Sequence, residues 1–299
     1  MDYLLCRIMF ILGGTSAKNV AENLANRLRQ PLLHTIYKRF PDDEFYVRVL
    51  DDIAGKDVVI VQTAYPDPKI VELLLMQDAV HDAGAKKITV VLPYFGYSRQ
   101  DKKFEEGEAI SARAIAEHIS LHADCVITVD PHKEHILKFF TVPAYSCSAV
   151  STIAQHLKEK NIDFVLAPDK GAKERAKETA KLINCEYDYL EKTRIDGATV
   201  KITPKKLDAH GKNVAIIDDI ISTGDTMVNS IKELKKQGAK TVLIACTHGL
   251  FIGGAKEKLL TADCDEIIST DTIETDFSKV SVAECIATTI LKTVPHIKN

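Results

Sequence analysis

Short runs rich in Val and Ile recur along this chain, each followed by a stretch with helical spacing, and that alternation limits the fold more than anything else in the sequence. The runs are Ile8–Leu12, Val58–Val61, Ile88–Leu92, Val126–Val129, Phe164–Ala167, Val214–Ile217, Val242–Cys246 and Glu266–Ser269. They are almost continuously apolar, as strands are when helices cover both faces of their sheet. Between them, Val20, Leu24 and Leu28 recur every four residues behind Ser16, which is read as a helix cap. Helices are likewise expected over Pro68–Asp82, Ser111–Leu121, Ala149–Glu159, Ala172–Ile183, Thr226–Gln237 and Val282–Leu291. Strand and helix alternating in this way predict an α/β fold with mainly parallel sheets.

The chain also repeats itself. Gly55-Lys56-Asp57-Val58-Val59-Ile60-Val61 returns as Gly211-Lys212-Asn213-Val214-Ala215-Ile216-Ile217. Ala83-Gly84-Ala85-Lys86 returns as Gln237-Gly238-Ala239-Lys240, and Ala123-Asp124-Cys125 as Ala262-Asp263-Cys264. The order is preserved, so the sequence reads as two copies of one α/β unit of about 150 residues, an ordinary domain size. The boundary is expected near Cys147–Ser151, giving domains 1–148 and 149–299, with the last helix packing back on the first domain. Met9 could serve as an alternative start, with Met1–Ile8 a short extension.

Composition narrows the function classes. Lys and Arg total 39 against 42 Asp and Glu, a net charge of −3, so there is no broad basic footprint for nucleic acid. No stretch approaches the ~18 uninterrupted apolar residues of a membrane helix. The seven cysteines are odd in number and scattered, with no C-x-x-C, as expected of free thiols in a reducing cytoplasm.

One loop concentrates polar chemistry. The strand at 214–217 ends in Asp218 and Asp219, followed by Ser222-Thr223-Gly224-Asp225-Thr226 and a helix. Ligands of open α/β sheets bind at strand carboxyl ends. A tight loop opening a helix offers N–H groups and a positive dipole end to a phosphate. The hydroxyls of Ser222, Thr223 and Thr226 add donors, and the two carboxylates suit a pair of sugar hydroxyls. At the corresponding place the first copy reads Gln62-Thr63-Ala64-Tyr65-Pro66-Asp67, so one copy keeps the loop and the other lacks it. Three further clusters stand out: Arg99-Gln100-Asp101-Lys102-Lys103, a phosphate-binding type of segment; Lys192 and Arg194, two apart and on one side of an extended chain; and Phe40, Asp42, Asp43 and Glu44, an aromatic face beside carboxylates.

Residues 218–226 resemble the phosphoribosyl diphosphate-binding loop of type I phosphoribosyltransferases and of ribose-phosphate diphosphokinases. Phe40-Pro41-Asp42-Asp43-Glu44, Tyr94–Lys103, Asp130-Pro131-His132, Ala167-Pro168-Asp169-Lys170-Gly171 and Lys192-Thr193-Arg194 resemble the diphosphokinase, particularly its archaeal members. The likeness runs from about Ile11 to Leu291. It implies two duplicated phosphoribosyltransferase-like, Rossmann-like domains, the first with ATP-binding segments and a degenerate phosphate loop, the second with the ribose 5-phosphate loop. It implies transfer of the diphosphoryl group of ATP to O1 of ribose 5-phosphate, giving 5-phosphoribosyl 1-diphosphate and AMP.

The same resemblance makes Lys192 and Arg194 catalytic, with Arg194 also reaching ribose phosphate. It makes Phe40, Asp42, Asp43, Glu44, Arg99, Gln100 and Asp101 ATP contacts. Asp218, Asp219, Ser222, Thr223, Gly224, Asp225 and Thr226 become the ribose 5-phosphate site, and His132 and Asp169 ligands of Mg²⁺. A cytoplasmic homo-oligomer is implied, with the ATP site shared between subunits and no nucleic-acid or membrane partner. Two departures are visible: Asp43 stands where archaeal members usually carry Gly, and Asp225 stands at a usual Gly, with Ser222 in place of Asp. A carboxylate there would repel a phosphate, so Asp225 is expected to turn away, towards solvent or a first-turn N–H. The competing readings are a phosphoribosyltransferase that consumes phosphoribosyl diphosphate and a non-catalytic regulatory homologue. The first would not need Arg99–Lys103 or Lys192 and Arg194, and the second would be expected to have lost Lys192, Arg194 or His132.

Overall fold

The computed structural model describes residues 8–194, 200–203 and 207–293. The chain divides into two compact units, one of residues 1–148, 271–273 and 281–299, the other of 149–270 and 274–280.

In the first unit the apolar runs become β1 (Met9–Gly13), β4 (Asp57–Val61), β5 (Lys87–Leu92) and β6 (Cys125–Val129), and β7 (Ala144–Cys147), which the sequence did not announce, adds an edge, in the sheet order β1-β4-β5-β6-β7. Every pairing in that sheet is parallel. The helices α1 (Lys18–Leu28), α2 (Pro68–Asp82) and α3 (Ser111–Ile119) supply the crossovers. Leu12, Ile60, Leu73, Met76, Val90, Leu92, Ala116, Ile119 and Val126 form one core. An antiparallel hairpin, β2 (Thr35–Arg39) with β3 (Phe45–Val49), lies between β1 and β4 in sequence.

The second unit is built the same way from α4 (Val150–Lys158), β8 (Phe164–Ala167), α5 (Lys173–Ile183), β9 (Glu186–Tyr189), β12 (Asn213–Ile221), α6 (Asp225–Lys236), β13 (Thr241–Gly249), α7 (Ala255–Thr261), β14 (Glu266–Thr270) and β15 (Ser278–Val280). Its sheet order is β15-β14-β13-β12-β8-β9, again parallel throughout. Matching β8 to β1 and β12 to β4, the two sheets share one strand order, and β9 is the extra edge. The hairpin β10 (Glu191–Arg194) with β11 (Val200–Thr203) pairs antiparallel on its own. After β15 the chain forms α8 (Ala283–Thr293), which packs against α1 within the first unit.

The expected strands and helices lie within a few residues of their counterparts here, but β2, β3, β7, β9, β11, β15 and α7 were not expected from the sequence, and one cap needs correction. Ser16 does not cap α1: Ala17 holds that position, and the Ser16 hydroxyl donates to the Thr63 carbonyl at 2.8 Å while its N–H donates to Gln62 Oε1. Gln62 is the first-copy counterpart of Asp218. It is buried, and its side chain ties the β1 and β4 loops together by also donating to the Lys69 carbonyl. Beside it the fully buried Glu72 carboxylate accepts from the Thr15 N–H at 2.7 Å, the Thr15 hydroxyl at 2.8 Å and Lys69 Nζ at 3.0 Å. A buried carboxylate needs such partners. Glu72 thus ties the loop after β1 to α2, while Gln62–Asp67 stand where the second copy has its phosphate loop.

Candidate functional site

In the second unit β8 lies between β9 and β12, so the chain turns outward on one side and inward on the other. The carboxyl ends of strands flanking such a reversal are where open α/β sheets hold ligands. Asp218 and Asp219 sit on β12 there, and Asp169 lies two residues beyond the end of β8. β12 is longer than its apolar run, because Ile220 and Ile221 still pair with His248 and Gly249 of β13. The Asp218 carboxylate accepts from the Asp219 N–H, and the Asp219 carboxylate from the Ile220 N–H, both at 2.9 Å. Burial pushes the Asp218 carboxyl well above the ordinary carboxylate range, reinforced by the charges of Asp219 and Asp169. Asp169 Oδ1 accepts from the N–H groups of Gly171 at 2.8 Å and Ala172 at 3.3 Å, capping a one-turn 3₁₀ helix.

The loop that follows β12 is clamped from one side. The Ile221 carbonyl accepts from the Leu250 and Phe251 N–H groups, and the Ser222 carbonyl from that of Ile252. Gly224 turns the chain into α6 with φ +76°, a conformation glycine adopts without cost. A side chain there would also press on Ala255 and Leu259 of α7. The expected ribose 5-phosphate residues Asp218, Asp219, Ser222, Thr223, Gly224, Asp225 and Thr226 are therefore contiguous on one strand end, one loop and one helix start.

Asp225 is largely exposed, as expected of a side chain turned to solvent, and has two partners besides. Its carboxylate meets neither solvent alone nor a first-turn N–H: Oδ2 accepts from the Thr223 hydroxyl and Oδ1 from Lys258 Nζ of α7, each at 2.8 Å. The Lys258 hydrogen bond, then that of Thr223, holds the Asp225 carboxyl below the usual carboxylate range. Lys258 was not anticipated from sequence, since nothing in α7 marks it as a partner of the loop.

The first unit carries the expected ATP segments. Phe40, Asp42, Asp43 and Glu44 form the turn of the β2–β3 hairpin, closed by the Phe40 N–H on the Glu44 carbonyl and the Asp43 N–H on the Phe40 carbonyl, both at 2.9 Å. Asp43 takes φ +70°, the backbone a glycine would supply, and its carboxylate pairs with Arg39 at 3.3 Å. Asp and Asn are the non-glycine residues that tolerate this region best, so Asp43 can occupy this turn. Phe40 is 42% exposed, edge-on to Tyr46, with Lys38 Nζ 5.2 Å from its ring centre.

Arg99 to Lys103 lie in the loop after β5, with Arg99 exposed. Gln100 Nε2 donates to Glu108 at 3.1 Å, and Asp101 pairs with His135 Nε2 at 3.1 Å. Glu108, also missed in the sequence, organises this loop by accepting from the Phe104 and Glu105 N–H groups, which hold its carboxyl below the ordinary range. His132 follows β6 and is half-buried. Among the described residues no group of three or more His, Cys, Asp and Glu is arranged around a metal position. Lys192 and Arg194 lie on β10, opposite Ile202 and Val200. Their side chains, with Asp196 and Gly197, lie outside the described residues.

Comparison with known proteins covers nearly the whole chain. Residues 9–122 match the model of the N-terminal domain of ribose phosphate pyrophosphokinase, and 146–284 that of the phosphoribosyl transferase domain. The ribose-phosphate pyrophosphokinase of Methanopyrus kandleri is 41% identical over 283 residues, covering 93% of this chain and 97% of that protein. That of Thermococcus kodakarensis is 42% identical over 276 residues, with 92% and 97% covered. The crystal structure of phosphoribosylpyrophosphate synthetase from Mycobacterium smegmatis superposes with a TM-score of 0.83 at 28% identity, covering 97% of this chain and 99% of that one.

Proposed function

This chain belongs to the ribose-phosphate pyrophosphokinase family, and from that premise we propose how its own residues divide the work. The reaction is that of a ribose-phosphate diphosphokinase: O1 of ribose 5-phosphate bonds to the β-phosphorus of ATP, the bond from that phosphorus to the α-phosphate oxygen breaks, and AMP leaves as 5-phosphoribosyl 1-diphosphate forms. Phosphoryl chemistry of this kind rests on positioning and charge neutralisation more than on covalent help from the protein.

The arrangement at the β12 carboxyl end is the observation that carries the assignment of the sugar site. Two carboxylates, a glycine with positive φ and a helix start follow one another within nine residues, 218–226. The first N–H groups of α6 have no acceptor inside the helix and carry its positive dipole end, which suits the 5-phosphate. Ser222 and Thr226 add hydroxyls, and Asp218 and Asp219 accept from the sugar 2- and 3-hydroxyls. In the first unit, Phe40 offers an adenine-sized face, Asp42 and Glu44 accept from the base or its ribose, and Arg99 and Gln100 bind the nucleotide. Lys192 and Arg194 stabilise charge on the phosphates as the leaving oxygen departs. No residue is assigned as general base; the O1 proton goes to water or a phosphate oxygen.

Asp169 and His132 are the proposed Mg²⁺ ligands. The fit is better for Asp169, because Mg²⁺ prefers oxygen donors and keeps its waters. Asp218 and Asp219 at the carboxyl end of β12 add carboxylate oxygens, the donor type Mg²⁺ takes, at the same sheet edge as Asp169. Bound there, Mg²⁺ would neutralise charge on the ATP phosphates. The free thiols Cys125, Cys147, Cys185, Cys246, Cys264 and Cys285 agree with a cytoplasmic setting, and no described helix is long and apolar enough to cross a membrane.

The direct test is incubation of the pure protein with ATP, Mg²⁺ and ribose 5-phosphate. AMP and phosphoribosyl diphosphate should appear together, and AMP release that does not need ribose 5-phosphate would count against the reading. The sharing of the ATP site between subunits has its own test. If Phe40, Asp42 and Glu44 serve a neighbour, mixing Phe40→Ala with Lys192→Ala protein should regain activity that neither variant has. Proven subunit exchange without that gain would remove the shared site.

A further inference from the structure

We propose that Lys258 is the built-in counter-charge of the phosphate loop: it cancels Asp225, and the balance of the two sets the affinity for ribose 5-phosphate. This rests on the reading that residues 222–226 receive the 5-phosphate. A carboxylate at the first position of α6, next to Gly224, puts negative charge in a loop that must accept more of it, and like charges a few ångströms apart repel. The structure answers with a cation from another helix. Lys258 Nζ stands 2.8 Å from Asp225 Oδ1, and the Thr223 hydroxyl is bonded to the other oxygen.

The pairing is indexed rather than incidental. α7 packs on α6, and the segment before α7 holds the Ile221 and Ser222 carbonyls through the N–H groups of Leu250, Phe251 and Ile252. Lys258 is therefore fixed relative to the loop by backbone bonds. Both side chains are substantially exposed, 43% for Lys258 and 64% for Asp225. A pair so exposed contributes little to stability, so its consequence lies in the local field rather than in the fold. The Thr223 hydroxyl proton is also spent on Asp225, which leaves the phosphate to backbone N–H groups and the hydroxyls of Ser222 and Thr226.

The test is a set of four variants, read by calorimetric Kd for ribose 5-phosphate without ATP, by KM and kcat, and by Tm. Lys258→Ala uncovers the carboxylate and should raise Kd and KM for ribose 5-phosphate about fivefold to tenfold at low salt, with kcat within about twofold. Asp225→Gly uncovers the lysine instead and should lower KM by about twofold to threefold. The double variant should return to within about twofold of the parent. Lys258→Arg should keep parental affinity, and the effect of Lys258→Ala should shrink as salt rises.

A Lys258→Ala Kd within about twofold of the parent at low salt would overturn the proposal. So would a double variant as weak as Lys258→Ala alone, because Lys258 would then be gripping the phosphate by itself. A Kd that rises only together with a fallen Tm would assign the pair a structural role and overturn it too. Failure of the parent protein to form AMP would refute the enzyme reading, a separate result from any of these.

Discussion

Lys192→Ala is expected to lower kcat by ~10²–10⁴ while the KM for ribose 5-phosphate moves far less, by analogy with removal of other charge-stabilising donors. An ammonium that meets the phosphates only as charge shifts towards the leaving oxygen contributes to the transition state and little to the ground state. The position fits a group of that kind: Lys192 lies on a two-stranded hairpin, β10 with β11, that forms its own sheet apart from the six-stranded one. Arg194 lies two residues along the same strand. Removing Lys192 therefore leaves Arg194 and the sugar loop intact, which is why binding should survive when turnover does not. Steady-state kinetics decide the matter. A kcat within about threefold of the parent would take Lys192 out of the chemistry, and a KM rise matching the fall in kcat/KM would make it a binding residue instead.

What the sequence disclosed follows from which residues pack. The buried strands announced themselves because a strand covered on both faces cannot afford polar residues: Val58 to Val61 and Val214 to Ile217 are all buried. The same logic hid the functional half of β12. Asp218 and Asp219 interrupt the apolar run at Ile217, whereas the ladder of the strand with β13 continues to Ile221. The hairpin β2–β3 was equally hidden. Its outward residues Ile36, Lys38 and Arg48 are exposed, and short half-exposed strands leave a weak periodic signal. The turn itself carries its own mark, since Asp43 takes a positive φ that Asp tolerates better than most residues.

Two partners distant in sequence were not legible in it. Ser16 has the right chemistry for a cap, but the β4 loop offers its hydroxyl a carbonyl at Thr63, 47 residues away. Asp225 was rightly singled out as an unusual charge, yet Lys258, 33 residues further on, decides where it points. Local preferences are legible in a sequence because they act between neighbours. Which of two acceptable partners a side chain takes depends on packing, and packing joins residues that the sequence leaves far apart.

Gly96→Ala should be the most destabilising of the single-methyl changes in the first unit, and should weaken ATP use as well. Gly96 does not need a positive φ. Its constraint is space: an added Cβ would overlap the backbone carbonyl oxygen of Ala64 in the β4 loop. That oxygen cannot swing aside as a flexible side chain would, because the Ala64 N–H is bonded to the Tyr94 carbonyl at 2.9 Å and Ala64 is buried. The neighbouring Phe95 is also fully buried, its ring 5.4 Å from that of Phe140, so the 94–96 segment has little freedom to retreat. Overpacking against fixed backbone costs about 2–3 kcal/mol. In a unit of this size that corresponds to a loss in Tm on the order of 5–10 °C. Gly107→Ala is the control: Gly107 has φ +84° but nothing within 4 Å of an added Cβ, so only the backbone preference is lost. That loss is about 1 kcal/mol. Gly96 also begins the path to Arg99 and Gln100, so a shift that relieves the clash displaces the proposed ATP contacts. The KM for ATP should then rise in Gly96→Ala and not in Gly107→Ala. Equal melting losses in the two variants would show that the 94–96 crossing yields more easily than its hydrogen bonds imply, and that Gly96 is required for conformational freedom rather than for room.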